Sequence, residues 1–102
     1  MEKGYCPIDT FINYLKGKRK ATIILHLKQG TKRYSELLKL IPDISDRMLS
    51  KNLKELEESG FLCRKVYPEV PPKVEYSLSK LGEEIHPVLL AMYRAGRLLE
   101  EQ

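Results

Sequence analysis

With 102 residues and 42% hydrophobic content, the chain has room for one domain with a modest core and not for two. Eighteen lysines and arginines against fourteen acids leave a net charge of +4, which suits an anionic partner without requiring one. No apolar run is long enough to cross a bilayer and the first residues hold no signal-peptide core, so the reading is a cytoplasmic protein without membrane contact.

Cys6-Pro7 opens a first helix in which Ile8, Phe11, Ile12 and Leu15 recur at i, i+3, i+4 and i+7, and Gly17 ends it. With Pro7 at the first helical position, Cys6 becomes the N-cap. Unpaired amides and Lys3 then face its sulfur, the setting of a reactive thiol, unless the cysteine is packed and inert at an interface. A second helix over residues 18–28 buries Ile23, Ile24 and Leu27, closed by Gly30. Lys32-Arg33-Tyr34 then forms either an edge strand that brings Lys32 or Arg33 to a phosphate backbone, or a solvated basic turn. A third helix over residues 35–40 presents Leu37, Leu38 and Ile41, and Pro42 prevents its extension.

The stretch from Ile44 to Gly60 carries the most information. Ser45 stands where an N-cap oxygen belongs, Ile44 can staple to Leu49, and Gly60 supplies the stop. Leu49, Leu53 and Leu56 form a buried stripe, while Arg47, Lys51 and Lys54 repeat that spacing roughly 200° around the helix. Glu55, Glu57 and Glu58 crowd the last turns, so a phosphate-bearing partner would meet the N-terminal part. An ordinary solvated face would show the same stripe; the segment that follows favours the first reading.

Residues 62–67 and 74–78 read as antiparallel strands, the second alternating Val74, Tyr76 and Leu78 with Glu75 and Ser77. Cys63, in the first, reads as a small buried hydrophobe. Pro68-Glu-Val-Pro-Pro72 makes a stiff protruding loop with Lys73 just beyond its tip, because three of the five residues lack an amide proton. A last helix, capped by Ser79, carries Leu81, Ile85, Val88, Met92, Ala95 and Leu99 at coiled-coil spacing, widened by Leu89, Leu90 and Tyr93. That apolar surface exceeds what one small domain covers and argues for a second subunit. Pro87 predicts a kink between residues 83 and 87. Two distant cysteines and the lone His26 and His86 offer no disulfide framework, metal set, cofactor site or catalytic arrangement.

Helix, strand, rigid loop, strand is the order of a winged helix, and particular residues sharpen the match. Cys6-Pro7, Gly17-Lys18, Gly30-Thr-Lys-Arg-Tyr-Ser-Glu-Leu37, Ile44-Ser45, Met48-Leu49, Leu53-Lys-Glu-Leu56 and Val66-Tyr-Pro-Glu-Val-Pro-Pro-Lys-Val-Glu-Tyr-Ser-Leu78 with Leu81-Gly82 span nearly the whole chain. In these the chain resembles HxlR-type winged-helix transcriptional regulators, relatives of the MarR group. It departs at Arg19 and Ala95, where tryptophan is common, which bears on helix packing and on the dimer interface rather than on the fold.

The resemblance implies an α+β, mostly α, winged helix-turn-helix with flanking dimerisation helices, as one domain over residues 1–102. Residues 17–78 would be the core, and residues 1–16 and 79–102 the dimerisation helices. It implies a homodimer on a pseudo-palindromic double-stranded DNA operator, and no enzyme. Arg47 and Ser50 would reach base edges; Ser45 would contact DNA at the helix start, and Lys51, Lys54, Lys65, Lys73 and Arg33 would meet phosphate. Ile8, Phe11, Ile12, Leu15, Ile85, Leu89, Met92 and Tyr93 would form the dimer interface, and Cys6 matches the position that some members use to sense oxidants. The competing readings are a winged-helix adaptor whose basic stripe meets an acidic protein, and a thiol-based redox protein, which the lack of a Cys-x-x-Cys pair disfavours.

Overall fold

Apolar residues chosen by helical spacing meet in one cluster: Ile23, Ile24, Leu37, Ile41, Leu49, Leu53 and Leu56 are each at most 2% exposed. The computed structural model describes Gly4 and residues 6–102. In order they form α1 (Pro7–Leu15), α2 (Lys20–Leu27), β1 (Lys32–Arg33), α3 (Tyr34–Leu40), α4 (Asp46–Glu58), β2 (Leu62–Tyr67), β3 (Lys73–Leu78) and α5 (Lys80–Glu100). Helices α2, α3 and α4 surround the core, the hairpin projects as a wing, and α1 and α5 flank the unit. The architecture is a mostly helical winged helix-turn-helix.

The sheet is antiparallel with order β1-β3-β2. Leu62 pairs with Leu78, Arg64 with Tyr76 and Val66 with Val74, while β1 adds Lys32 opposite Tyr76 and Arg33 opposite Glu75. Of the two readings of Lys32-Arg33-Tyr34, the edge strand is therefore the one adopted. Paired residues share a face. The outer face accordingly carries Cys63, Lys65 and Tyr67 from β2 with Lys73, Glu75 and Ser77 from β3.

Helix α5 is joined tightly to the end of α4. The Ser79 hydroxyl donates to the Gly60 carbonyl at 2.5 Å and accepts from the Gly82 amide at 3.1 Å, so one side chain caps the helix and ties it to the turn. Gly82 has no room for a side chain, since a Cβ there would run into the Phe61 carbonyl oxygen. Farther along, Ile85 and Leu89 pack onto the core, and Lys28 bridges to Glu83 at 2.6 Å.

Three expectations change. Leu89 is 2% exposed and belongs to this chain's own core, so it is not an interface residue: α5 packs across α2 along one face, and Leu89 lies on that face. Cys63 is exposed rather than buried, because it lies on the outer face of a hairpin whose inward face leaves the core after Leu62; even inward-facing Val66 is 49% exposed. Helix α2 begins at Lys20 instead of residue 18, since Arg19 has the left-handed φ of 77°. Helix α5 runs on through Pro87 as one continuous element, where both Pro87 and Glu83 are exposed and water can take up the hydrogen bond that proline lacks. Among the described residues no helix is long and apolar enough to cross a membrane.

Candidate nucleic-acid interface

The start of α4 is determined locally. Ser45 is its N-cap, and its hydroxyl accepts from the Met48 amide at 3.0 Å. Leu49, Leu53 and Leu56 then turn inward at 0–1% exposure, which leaves Arg47, Ser50, Lys51 and Lys54 exposed on the rest of the helix. The helix is fastened on both flanks. On one, the buried Asn52 donates through Nδ2 to the Lys18 carbonyl at 2.8 Å, and Lys20, itself only 7% exposed, lies 3.4 Å from Glu55. On the other, the Tyr34 hydroxyl sits 2.8 Å from the Asp46 carboxylate and 3.1 Å from the Ser50 hydroxyl. Burial raises the Tyr34 pKa above its ordinary value, the Asp46 carboxylate adds to that, and the Ser50 hydrogen bond opposes it.

The wing brings a second set of cations beside α4. Lys65 and Lys73 both lie over the Tyr67 ring, at 4.8 and 4.6 Å from its centroid. Lys73 is the first residue of β3 rather than part of the protruding loop, and it is 3.5 Å from Glu75. Glu75 pairs across the sheet with Lys65 on one side and Arg33 on the other. Hydrogen bonding from the Tyr67 hydroxyl, then the charges of Lys73 and Arg33, hold its carboxyl below the usual carboxylate range. The loop tip itself presents Glu69 and a fully exposed Val70. A shallow groove between loop and α3 is lined by Arg33, Tyr34, Ser35, Pro71, Pro72 and Lys73.

The residues expected at DNA thus gather along α4 and the base of the wing. Tyr34 and Glu75 were not among them. Their roles rest on contacts between residues distant in the chain, although the Arg33-x-x-Glu36 spacing does mark the start of α3, where the Glu36 carboxylate accepts from the Arg33 amide at 2.8 Å.

Elsewhere on the fold, Ile8, Ile12, Met92 and Tyr93 are each more than half exposed, and Phe11, Leu15 and Ile85 are half-buried. Between α1 and α5, Pro7, Ile8, Phe11, Ile12, Val88 and Met92 line a groove of about 470 Å³ without a polar atom. Cys6 is the N-cap of α1 with Pro7 after it; it is half-buried, and its sulfur makes no capping hydrogen bond. Lys3 lies outside the described residues. His26 and His86 line a separate groove with Leu90 and Tyr93, and among the described residues no group of His, Cys, Asp and Glu is placed to hold a metal ion.

Comparison with known proteins agrees with this layout. A family model described as HxlR-like helix-turn-helix matches residues 14–102. The HTH-type transcriptional regulator YdeP of Bacillus subtilis (strain 168) is 47% identical over 95% of this chain and 76% of its own length. A second regulator of that organism, YkvN, is 42% identical over 100% of this chain and 86% of its own. Among solved structures, the redox regulator HypR in its reduced form superposes with a TM-score of 0.88, at 38% identity over 95% of this chain and 100% of that one.

Proposed function

This chain belongs to the HxlR-like helix-turn-helix family of transcriptional regulators, and from that premise we propose that it acts as a homodimer that reads a pseudo-palindromic double-stranded DNA operator. The observation that carries the reading is the division of α4: leucines at 0–1% exposure on one side, Arg47, Lys51 and Lys54 exposed on the other. A helix of that kind, capped at Ser45 and flanked by a basic wing, fits a major groove with its N-terminal half at the base edges. Arg47 suits guanine O6 and N7, and Lys51, Lys54, Lys65, Lys73 and Arg33 neutralise phosphate.

The apolar groove between α1 and α5 supports dimerisation through Ile8, Phe11, Ile12 and Leu15 with Ile85, Met92 and Tyr93, which sets the two α4 helices about one DNA turn apart, roughly 34–36 Å. The test is binding to operator and random duplexes. Arg47→Ala should cost on the order of 1–3 kcal/mol on the operator and relax base preference there. An equal loss on both duplexes would reduce Arg47 to a phosphate contact, and the absence of any salt-dependent binding by the wild type would favour an adaptor that binds an acidic protein.

A second reading concerns control. Cys6 caps α1 beside the α1–α5 groove, and the structurally similar HypR is described as a redox regulator. Oxidation of the Cys6 thiol by a peroxide would then alter the dimer and with it operator affinity. Wild type and Cys6→Ser should differ in their response to the oxidant; identical responses would remove Cys6 from this role and leave DNA binding untouched.

A further inference from the structure

Residues 16–18, between α1 and α2, run alongside the recognition helix. Lys16, Gly17 and Lys18 face Ser45, Arg47 and Lys51 across a groove of about 470 Å³. Two contacts already described hold the loop there: the Asn52 bond to the Lys18 carbonyl and the pairing of Lys20 with Glu55. The positive φ of Gly17, 121°, lets the chain turn out of α1 and into that bond, a conformation that a side chain would strain. The loop's position relative to α4 is therefore built into the fold, and the reach of its two ammonium groups with it.

The charge around this groove is one-sided. Among the described residues, Lys16, Lys18, Arg47 and Lys51 have no carboxylate within salt-bridge distance, and the bordering acid, Glu55, is engaged by Lys20. Asn52 and Ser50 stand about 200° apart around α4, so the loop and Tyr34 flank the helix from opposite sides. The wing lies on the Tyr34 side, where Pro71, Pro72 and Lys73 share a groove with Tyr34. A helix in a major groove has a phosphate backbone along each flank, and the wing with Arg33 accounts for one of them.

We infer that the 16–18 loop is a third DNA contact, a clamp in which Lys16 and Lys18 bind the phosphates of the strand opposite the wing while Arg47 and Lys51 face the same groove from α4. It rests on the reading that α4 enters a major groove. The contact is to backbone, so it adds affinity and fixes register without reading sequence.

The experiment compares wild type, Lys16→Gln/Lys18→Gln and the charge-matched control Lys39→Gln/Lys80→Gln on a random-sequence duplex of about 30 bp, long enough for two half-sites one turn apart. All three should melt alike, since the four lysines are exposed. Each lost phosphate contact lowers the slope of log affinity against log salt by about 0.9, so the loop variant, which loses two contacts in each subunit of the dimer, should lose about 3.6. The wild-type advantage should then grow about 150-fold between about 200 and 50 mM salt. The control should keep the wild-type slope. An unchanged slope in the loop variant, or an equal drop in the control, overturns the clamp and leaves the recognition-helix reading standing. Failure of the wild type itself to bind the duplex overturns that reading and the clamp with it.

Discussion

The hydroxyl proton of Tyr34 belongs to Asp46, and Ser50 supplies a proton of its own. Tyr34 Oη is 2.8 Å from Asp46 Oδ1 and 3.0 Å from the Asp46 carbonyl oxygen, and neither of those oxygens has a proton to give. The tyrosine has one, and it is spent there. The 3.1 Å contact with Ser50 must then be a bond that Ser50 donates. Toward solvent, the Ser50 oxygen is left with lone pairs alone.

At a base edge, Ser50 would therefore accept from the amino group of adenine or cytosine and would not donate to guanine O6 or thymine O4. Tyr34→Phe releases the Ser50 proton and should make the contacted position tolerant, while it lowers stability by about 1 kcal/mol. Duplexes with purine in place of adenine at each half-site position, which removes only the amino group, measure this directly. Wild type should lose about 1 kcal/mol at one position and Ser50→Ala nothing there. A wild type indifferent to every such replacement would mean that Ser50 reads no adenine, leaving cytosine as the one amino group it could accept from.

Much of this arrangement is legible in the sequence, and the limits have physical causes. Leu49, Leu53, Leu56 and the Ser45 cap are local features, with period and capping written within one helix, and they appear where expected. Leu89 stands on a helix with apolar residues on both sides; spacing identifies it as buried without saying whether its own chain or a partner covers it. Alternation in a strand presumes a covered face along its whole length, and Cys63 is exposed because this hairpin leaves the core after Leu62. The partners of Tyr34 lie 12 and 16 residues away, a separation that no local pattern records.

Glu75 lies among Arg33, Lys65 and Lys73 and partly neutralises the base of the wing. Glu75→Gln should therefore tighten binding to operator and random duplex alike, most at low salt, and so narrow discrimination between them. The folded-state pKa of Glu75 is lowered, so its contribution to stability is present above the unfolded carboxylate pKa and lost as pH falls through the folded value. The difference in stability between wild type and variant should accordingly be constant near neutrality and vanish on acidification. A weaker-binding variant would show that Glu75 orients these lysines more than it neutralises them.

Leu89 and Met92 lie one turn apart on α5 and should respond in opposite ways. Leu89 is 2% exposed in the core, so Leu89→Ala leaves a cavity and should cost about 2–5 kcal/mol while the dimer persists wherever the protein stays folded. Met92 is 52% exposed beside the α1–α5 groove, so Met92→Glu should leave the subunit intact and put an unpaired charge into the interface. Association adds stability that depends on concentration. Met92→Glu should therefore unfold at any concentration as wild type does when diluted below its dimer dissociation constant. Sedimentation together with denaturant unfolding at two protein concentrations separates the effects. A Met92→Glu protein that keeps dimeric mass, with stability that still rises with concentration, would place the interface away from this groove.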